Sequence, residues 1–180
     1  MHHKPIVFLV AATAMVGGRH AGATVLAPMT VAQMTNASSL VVRGRILSTS
    51  SRWVGHKIVT RVRLQPDEVW KSPAGSDKNA VLSFYRLGGK VGRIEMRVEG
   101  AARFRRGEHV VLFLAKRASR LYVTGMVQGA FRLRQVQGRW QALRSVGTVG
   151  WTGKTPSSRF SLDRLKRLVL QTGKDGHHVP

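Results

Sequence analysis

The chain has 180 residues, of which 30 are Lys or Arg and only 8 are Asp or Glu, giving a formal net charge of +22. Its length and 43% hydrophobic content fit one domain with a sizeable core, so a second domain is not expected. The charge favours polyanionic partners without selecting among them, although a generally arginine-rich proteome would produce the same composition without function. Because there is no cysteine, a disulfide framework, a thiolate metal site and a cysteine nucleophile are excluded.

The N-terminus has the pattern of a cleavable export signal. A short basic start precedes an apolar run from Pro5 to Val16, and Ala21-Gly22-Ala23 supplies small residues for cleavage. The run is shorter than the roughly 20 residues that span a bilayer. We therefore predict a signal peptide over residues 1–23, no transmembrane segment after its removal, and a periplasmic or extracellular mature chain.

The next region, residues 24–146, is predicted to be one β-rich domain. Thr30 and Gln33 have capping-box spacing, which predicts a short helix over Val31–Ala37. "STSSRWVG" resembles a turn, and Gly44 inside an apolar strand predicts a bulge or a sharp bend. Seven or eight short strands separated by turns favour an all-β sandwich or barrel. These strands are "LVVRGRILS", "HKIVTRVRLQPDEVWKS", "AVLSFYRL", "RIEMRVEG", "HVVLFLA", "LYVTGMV", "AFRLRQV" and "RWQALRS".

The C-terminal part is predicted to contain a linker at 147–160, a helix at 161–173 that packs on the β-domain, and a disordered tail at 174–180. Ser161 is the expected N-cap of the helix, and Gly173 is its expected stop. The apolar stripe that would face the β-domain consists of Leu162, Leu165, Leu168 and Val169.

Catalytic and metal chemistry have little support in the mature sequence. His56, His109, His177 and His178 have no ligand-like partner at helical or strand spacing, so no metal site is predicted. The eight acids have abundant cationic neighbours, and no pair of them is placed for acid–base catalysis. We predict a protein that is not an enzyme, with no catalytic residue and no cofactor.

Two short motifs invite a functional interpretation but favour a structural one. "RLGGKVG" at 86–92 resembles a phosphate-binding loop, yet a period-two segment follows it instead of a helix, so a hairpin connection is predicted. In "FRRGE" at 104–108, Phe104 is expected to close one end of the core and Arg105-Arg106-Gly107 to form a turn. Glu108 would then pair with an arginine or accept backbone N–H groups.

The strand alternation predicts a basic outer face. A ladder of guanidinium groups can bind phosphates or carboxylates bidentately. No aromatic residues alternate with these arginines on their own strands, so stacking of nucleic-acid bases is not expected and nucleic acid is an unlikely partner. A solvated face without a ligand is the alternative interpretation. The candidate anion-binding residues are Arg43, Arg45, Arg61, Arg63, Arg93 and Arg97.

Several segments, in order, resemble a family of uncharacterised exported bacterial proteins. The resemblance covers about Thr30 to Leu133 and carries over no catalytic residue. The segments are "TVAQMTNASSLVVRGRI", "VRLQPDEVWKS", "RLGGKVG", "VEGAARFRRGEHVVLFLA" and "GMVQGAFRL".

More distantly, the "VVRGRI" opening after a helix and the "EVWKS" strand end resemble netrin-like and tissue-inhibitor-of-metalloproteinase domains. The resemblance implies an oligonucleotide/oligosaccharide-binding (OB) type barrel. Those inhibitors chelate zinc through an N-terminal cysteine, which this chain lacks. The expected fold is therefore mainly β: a small OB-like closed or partly open barrel with a short N-terminal and a C-terminal helix.

Two binding functions follow as hypotheses. In the first, an exported, non-catalytic module docks on an anionic envelope polymer or an acidic protein through its basic barrel face. In the second, a protease-associated, inhibitor-like domain binds a protein partner through loops at one barrel end, around Gly88–Gly92 and Trp53. Salt should weaken the first kind of binding much more than the second.

Overall fold

Alternating apolar and polar residues place most of the chain in β-strands. The computed structural model describes residues 25–145 and 150–175, with side chains as far as Gly173. The predicted signal peptide and the tail from residue 176 onward lie outside the described residues. Among the described helices, none is long and apolar enough to cross a membrane.

The elements follow in chain order. The first half comprises β1 (Val25–Leu26), α1 (Val31–Asn36), β2 (Leu40–Val54), β3 (Lys57–Lys71), β4 (Leu82–Leu87), β5 (Gly89–Val91) and β6 (Ile94–Met96). The second half comprises β7 (His109–Arg117), β8 (Arg120–Val123), a 3-10 helix (Met126–Gly129), β9 (Ala130–Val136), β10 (Arg139–Leu143), β11 (Gly150–Trp151), β12 (Arg159–Ser161) and α2 (Leu162–Asp175).

Five strands of the main sheet form a closed ring. β2, β3 and β4 are consecutive antiparallel neighbours, and β7 returns after a long connection to pair with β2, which is a Greek-key arrangement. β8 pairs antiparallel with β7 and parallel with β4, which completes the ring β7-β2-β3-β4-β8. β9, β10 and β12 extend the sheet from the start of β7. The predicted mainly β fold with two helices is confirmed.

Two hydrophobic cores lie on opposite sides of the ring wall. The inner core fills the ring with Leu40, Val42, Ile46, Val62, Leu64, Phe84, Val110, Leu112 and Leu114. The outer core lies between the ring and the helices and contains Val31, Met34, Val41, Trp70, Val111, Phe113, Phe131, Leu133, Ala142, Leu162, Leu165 and Val169. Successive residues of a strand point to opposite faces, so β7 is buried on both sides, as its continuous apolar run predicts.

Both helices have the predicted caps and apolar faces. The Thr30 hydroxyl accepts the Gln33 N–H at 3.1 Å, and the Gln33 side chain accepts the Thr30 N–H at 2.9 Å, so the capping box is confirmed. In α2 the Ser161 hydroxyl accepts the Arg164 N–H at 3.4 Å. The predicted stop at Gly173 is wrong, because α2 continues to Asp175.

The "FRRGE" segment is a structural turn, as predicted. The Glu108 carboxylate accepts the Arg105 N–H at 2.9 Å and lies 3.4 Å from the Arg132 guanidinium. The Gly107 N–H donates to the Ile46 carbonyl at 2.8 Å, which aligns the turn with β2. Phe104 packs edge-on against Phe84 of the inner core, with ring centroids 5.1 Å apart.

Three predicted boundaries are wrong. "STSSRWVG" is not a turn, because β2 and β3 stay paired as far as Val54 and Lys57 and reverse at Gly55, whose φ is +56°. The predicted strand "RIEMRVEG" shortens to β6, which among the described strands pairs only with β5. The predicted linker at 147–160 contains β11 and most of β12, which pair with β1 and β10 respectively. Its residues 147–149 lie outside the described part.

An ion pair between Glu68 of β3 and Lys166 attaches α2 to the sheet. Burial alone would raise the pKa of Glu68, but the Lys166 hydrogen bond and the charges of Lys166 and Arg43 outweigh it and lower that pKa. A lowered carboxyl pKa stabilises the fold above its unfolded value, and this contribution is lost as pH falls through the folded value.

We therefore expect Glu68→Gln to lower the melting temperature slightly at neutral pH and to have a smaller effect at about pH 3, below the unfolded pKa of the carboxyl group. Thermal denaturation from pH 7 downward measures the difference between variant and wild type. Exposed Glu99, replaced by Gln, is the matched control for the loss of one carboxylate. A Glu68→Gln difference that stays constant to pH 3 would show that the ion pair does not stabilise the fold.

Candidate functional site

Three of the six predicted arginines lie together on the outward side of the ring. Val62 and Leu64 of β3 point into the inner core, so Arg61 and Arg63 point outward and are exposed. They are two residues apart on one strand, a spacing of about 7 Å. Arg45 of β2 lies opposite Gln65, on the same outward side of the ladder.

The residues beside Arg61 and Arg63 leave both guanidinium groups accessible. Directly opposite residues in a ladder share a face. Arg61 is paired with Ser50 and Tyr85, and Arg63 with Ser48 and Ser83. Within the described chain no carboxylate lies within 4 Å of Arg45, Arg61 or Arg63.

Arg43, in contrast, is occupied by contacts within the protein. It lies on the outward side of β2, where the outer core begins, and its side chain is only 26% exposed. Its Nε lies 4.0 Å from the Asp67 carboxylate, and its guanidinium lies 5.8 Å from the Trp140 ring centroid. Arg43 therefore faces a carboxylate of its own chain and is a poor candidate for binding an external anion.

The predicted positions of Arg93 and Arg97 on the sheet are wrong. Gly88 and Gly89 have φ of +82° and +145°, a conformation that side-chain-bearing residues rarely adopt, and the chain there leaves β4 for the separate β5–β6 hairpin. Arg93 lies in the turn of this hairpin, and Arg97 follows β6. The Arg97 guanidinium donates two 3.0 Å hydrogen bonds to Glu95, so it is already paired.

Aromatic residues do lie beside the free arginines, contributed by other strands. Tyr85 of β4 is directly opposite Arg61, and Tyr122 of β8 is directly opposite Tyr85. The two tyrosine rings are 6.3 Å apart, centroid to centroid. The Arg120 guanidinium lies 5.1 Å from the Tyr85 centroid, within cation–π distance. The strands that carry the predicted arginines supply no aromatic residue to this face, as expected, but β4 and β8 supply two.

We define the basic face as the outward surface of these strands. It consists of Arg45, Arg61, Arg63, Tyr85, Arg117, Arg120 and Tyr122. Arg117 belongs to it because it is the direct partner of Arg120 in the β7–β8 ladder. None of its arginines has an ion-pair partner among the described residues, so the positive charge is uncompensated.

Two acids of β3 lie instead beside Arg43 and α2: Asp67 is near Arg43, and Glu68 pairs with Lys166. The His109 imidazole is 3.8 Å from the Asp67 carboxylate, which is longer than a hydrogen bond. His109 also contacts Trp140, with ring centroids 5.6 Å apart. Among the described residues, no group of three or more His, Asp or Glu side chains is arranged to hold a metal ion.

A different surface lies at the end of the β2–β3 hairpin. The Thr60 hydroxyl donates to the Gly88 carbonyl at 2.6 Å and contacts the Ser51 hydroxyl at 2.8 Å, which attaches the start of β5 to this hairpin. Large apolar side chains are exposed on both hairpins and on β4 between them: Trp53 (47%), Val54 (40%), Leu87 (42%) and Ile94 (55%).

Comparison with known proteins gives no match: no family model fits the chain, and no curated protein or solved structure is significantly similar to it. The class that the structure defines is a mainly β protein built on a five-stranded ring. The resemblances to an exported bacterial family and to netrin-like domains remain predictions.

Proposed function

We propose that this chain is an exported, non-catalytic binding module that holds an anionic polysaccharide of the cell envelope on its basic face. The observation that carries the proposal is the uncompensated charge of Arg45, Arg61 and Arg63 beside Arg117 and Arg120. Guanidinium groups bind carboxylate, sulfate and phosphate groups through paired N–H donors. Several such groups at regular strand spacing suit a ligand with repeated negative charges.

The tyrosines favour a saccharide over single-stranded nucleic acid. Base-stacking platforms need open aromatic faces. Tyr85 and Tyr122 are both partly buried, and the Arg120 guanidinium lies over the Tyr85 ring. With that ring covered, the tyrosines serve better to hold Arg120 in place than to stack on bases.

We also propose that the ring is an OB-like barrel. Five strands in a Greek-key arrangement, closed at one side by a short ladder between β4 and β8, correspond to the partly open barrel of that fold. OB-type barrels bind oligosaccharides or oligonucleotides on a strand face, which agrees with the position of the basic face.

The test is retention on immobilised heparin, used as a model sulfated polysaccharide. We expect the double variant Arg61→Ser/Arg63→Ser to elute at clearly lower salt than wild type. Removing two anion contacts should lower the slope of log affinity against log salt by about 2. The matched control is Arg134→Ser/Arg139→Ser, which removes the same charge from exposed positions of the β9–β10 hairpin.

Equal loss of retention in both double variants would show that only net charge matters and would refute a specific basic face. Competition with a single-stranded oligonucleotide and with an acidic peptide separates the ligand classes. If the oligonucleotide displaced the protein at a much lower concentration than a heparin fragment did, nucleic acid would replace polysaccharide as the proposed ligand. Displacement by the acidic peptide alone would indicate a protein partner.

The exposed apolar hairpins support a second candidate function. Trp53 and Ile94 lie near the tips of two hairpins that are held together through Thr60 and Gly88. Apolar anchors of this kind are typical of protein interfaces. A protein partner retained from envelope extract at high salt, and lost with Trp53→Ser, would favour this inhibitor-like or partner-binding role.

A further inference from the structure

The ring is closed by its shortest ladder. β4 and β8 pair through only two residue pairs, Phe84 with Leu121 and Tyr85 with Tyr122. Beyond the tyrosines the two chains separate, because Gly88 turns one chain toward β5 and Gly125, with φ of +60°, turns the other into the 3-10 helix. This separation leaves an opening in the ring wall, which we call the seam.

A groove of about 660 Å³ lies along the seam. Its volume is within the roughly 300–1,000 Å³ that is usual for small-molecule sites. Its apolar lining comes from β4, from β8 with the start of the 3-10 helix, and from the segment between β6 and β7. These residues are Tyr85, Leu87, Tyr122, Val123, Met126, Val98, Ala101 and Ala102. The lining is therefore mostly apolar and includes two aromatic rings.

Two arginines interrupt the apolar lining. Arg86 and Arg117 both border the groove, and neither has a carboxylate within 4 Å in the described part of the chain. Arg86 is partly buried, and its one hydrogen bond among the described residues is to the Leu87 carbonyl at 3.2 Å. Burial lowers the pKa of Arg86, and the like charge of Arg103 lowers it further. A partly desolvated guanidinium beside another cation is stabilised by a bound anion.

We propose that the seam groove binds an amphipathic anion, with its apolar body against Tyr122, Val123 and Met126 and its carboxylate or phosphate on Arg86. The apolar lining suits a ligand with one charged end better than a polymer charged along its length. Both a fatty acid and the anionic head of a lipid present this chemistry. The groove borders the basic face, since Tyr85, Arg117 and Tyr122 belong to both, but Arg86, which would hold the anion, is not part of that face.

The experiment uses three soluble probes with the same alkyl chain: octanoate, octyl phosphate and octylammonium. Titration of the mature chain, followed by the methyl signal of Met126 and the ring signals of Tyr122, measures the affinities. We expect at least one of the two anionic probes to bind at least about tenfold more tightly than octylammonium, since the ammonium group cannot accept the Arg86 N–H groups and carries the same charge as Arg86. The anion that binds more tightly identifies carboxylate or phosphate as the preferred head.

Two variants locate the binding. Arg86→Met should weaken binding of the preferred anion about tenfold, because it removes the charged partner and keeps an apolar side chain. Ala101→Phe should block binding by filling the groove while Arg86 remains. The exposed-site change Arg134→Met is the charge-matched control and should have no effect, and thermal melting confirms that each variant is folded.

The proposal would be overturned if octylammonium bound as tightly as the anionic probes. It would also be overturned if Arg134→Met weakened anion binding as much as Arg86→Met. Unchanged binding in a folded Ala101→Phe variant would overturn it as well. Heparin retention distinguishes this site from the proposed function, since Arg86→Met should leave the contacts of Arg61 and Arg63 intact. If the wild-type chain bound octanoate or octyl phosphate but was not retained on heparin, only the polymer site would be contradicted.

Discussion

Replacing Arg144 with Ala is expected to destabilise the fold by about 3–5 kcal/mol. Arg144 is only 6% exposed, although it directly follows β10, a strand whose residues are mostly at least partly exposed. Its guanidinium donates to the Ser157 carbonyl at 2.7 Å and to the Met29 carbonyl at 3.5 Å, and lies 5.4 Å from the Phe131 ring centroid. It thereby connects the segment before α1, the outer core and the segment before β12. The variant leaves a cavity and removes the donor from both carbonyls.

Burial lowers the pKa of Arg144 to about 10, so the side chain stays charged throughout the neutral range. When folding depresses the pKa of a base, the charged form costs stability below the folded pKa, and that cost does not vary with pH there. This group should therefore cause no change in stability between about pH 6 and pH 8. Urea denaturation measures the loss in Arg144→Ala, with exposed Arg139→Ala as the control, for which a change within about 0.5 kcal/mol is expected. A similar small change in Arg144→Ala would contradict its bridging role.

The second large effect is expected at Gly44, where alanine should destabilise the fold by about 2–3 kcal/mol. Gly44 is buried in β2 between Pro66 of β3 and Val110 of β7, next to a shift in the β2–β3 register. A Cβ at this position would overlap the Gln65 backbone carbonyl and lie 3.0 Å from a Leu64 methyl group. Since the obstacle is backbone, the strand pair would have to move apart.

Gly173 is the matched control for this substitution. It lies in α2, and a Cβ added there would have no neighbour within 4 Å among the described residues. Gly173→Ala should therefore stabilise the protein by up to about 1 kcal/mol, because alanine is the better helix former. The two alanine variants should change the free energy of unfolding in opposite directions. If Gly44→Ala left the free energy of unfolding unchanged, β2 would not need the close approach to the Gln65 backbone at this point.

The parts of the fold that were predictable from sequence are those with a local cause. Gly44 predicts a bend because a glycine interrupts an apolar strand, and the register shift confirms it. The phases of β2 and β3 follow from period-two alternation, which is strong where one face is buried. Where both faces of a strand are largely polar, as in "STSSRWVG", the sequence pattern does not distinguish a long hairpin from a turn.

The candidate site was less predictable because ring closure assembles it from distant segments. Tyr85 and Tyr122 are 37 positions apart in sequence and become neighbours only through the β4–β8 ladder. Arg43 and Arg61 have the same local pattern, yet the register that places Asp67 near Arg43 leaves Arg61 free. Likewise, no local signal distinguishes the buried Arg144 from the exposed arginines around it.

The measurement that tests the proposed function most directly is an NMR titration of the protein with a short heparin oligosaccharide. If the basic face is the binding site, the largest shifts should occur at Arg61 and Arg63 and at the rings of Tyr85 and Tyr122. Signals from the β9–β10 hairpin, where Arg134 and Arg139 are exposed, should change little. Shifts of similar size on both surfaces would contradict the account and show that the charge attracts polyanions without a defined site.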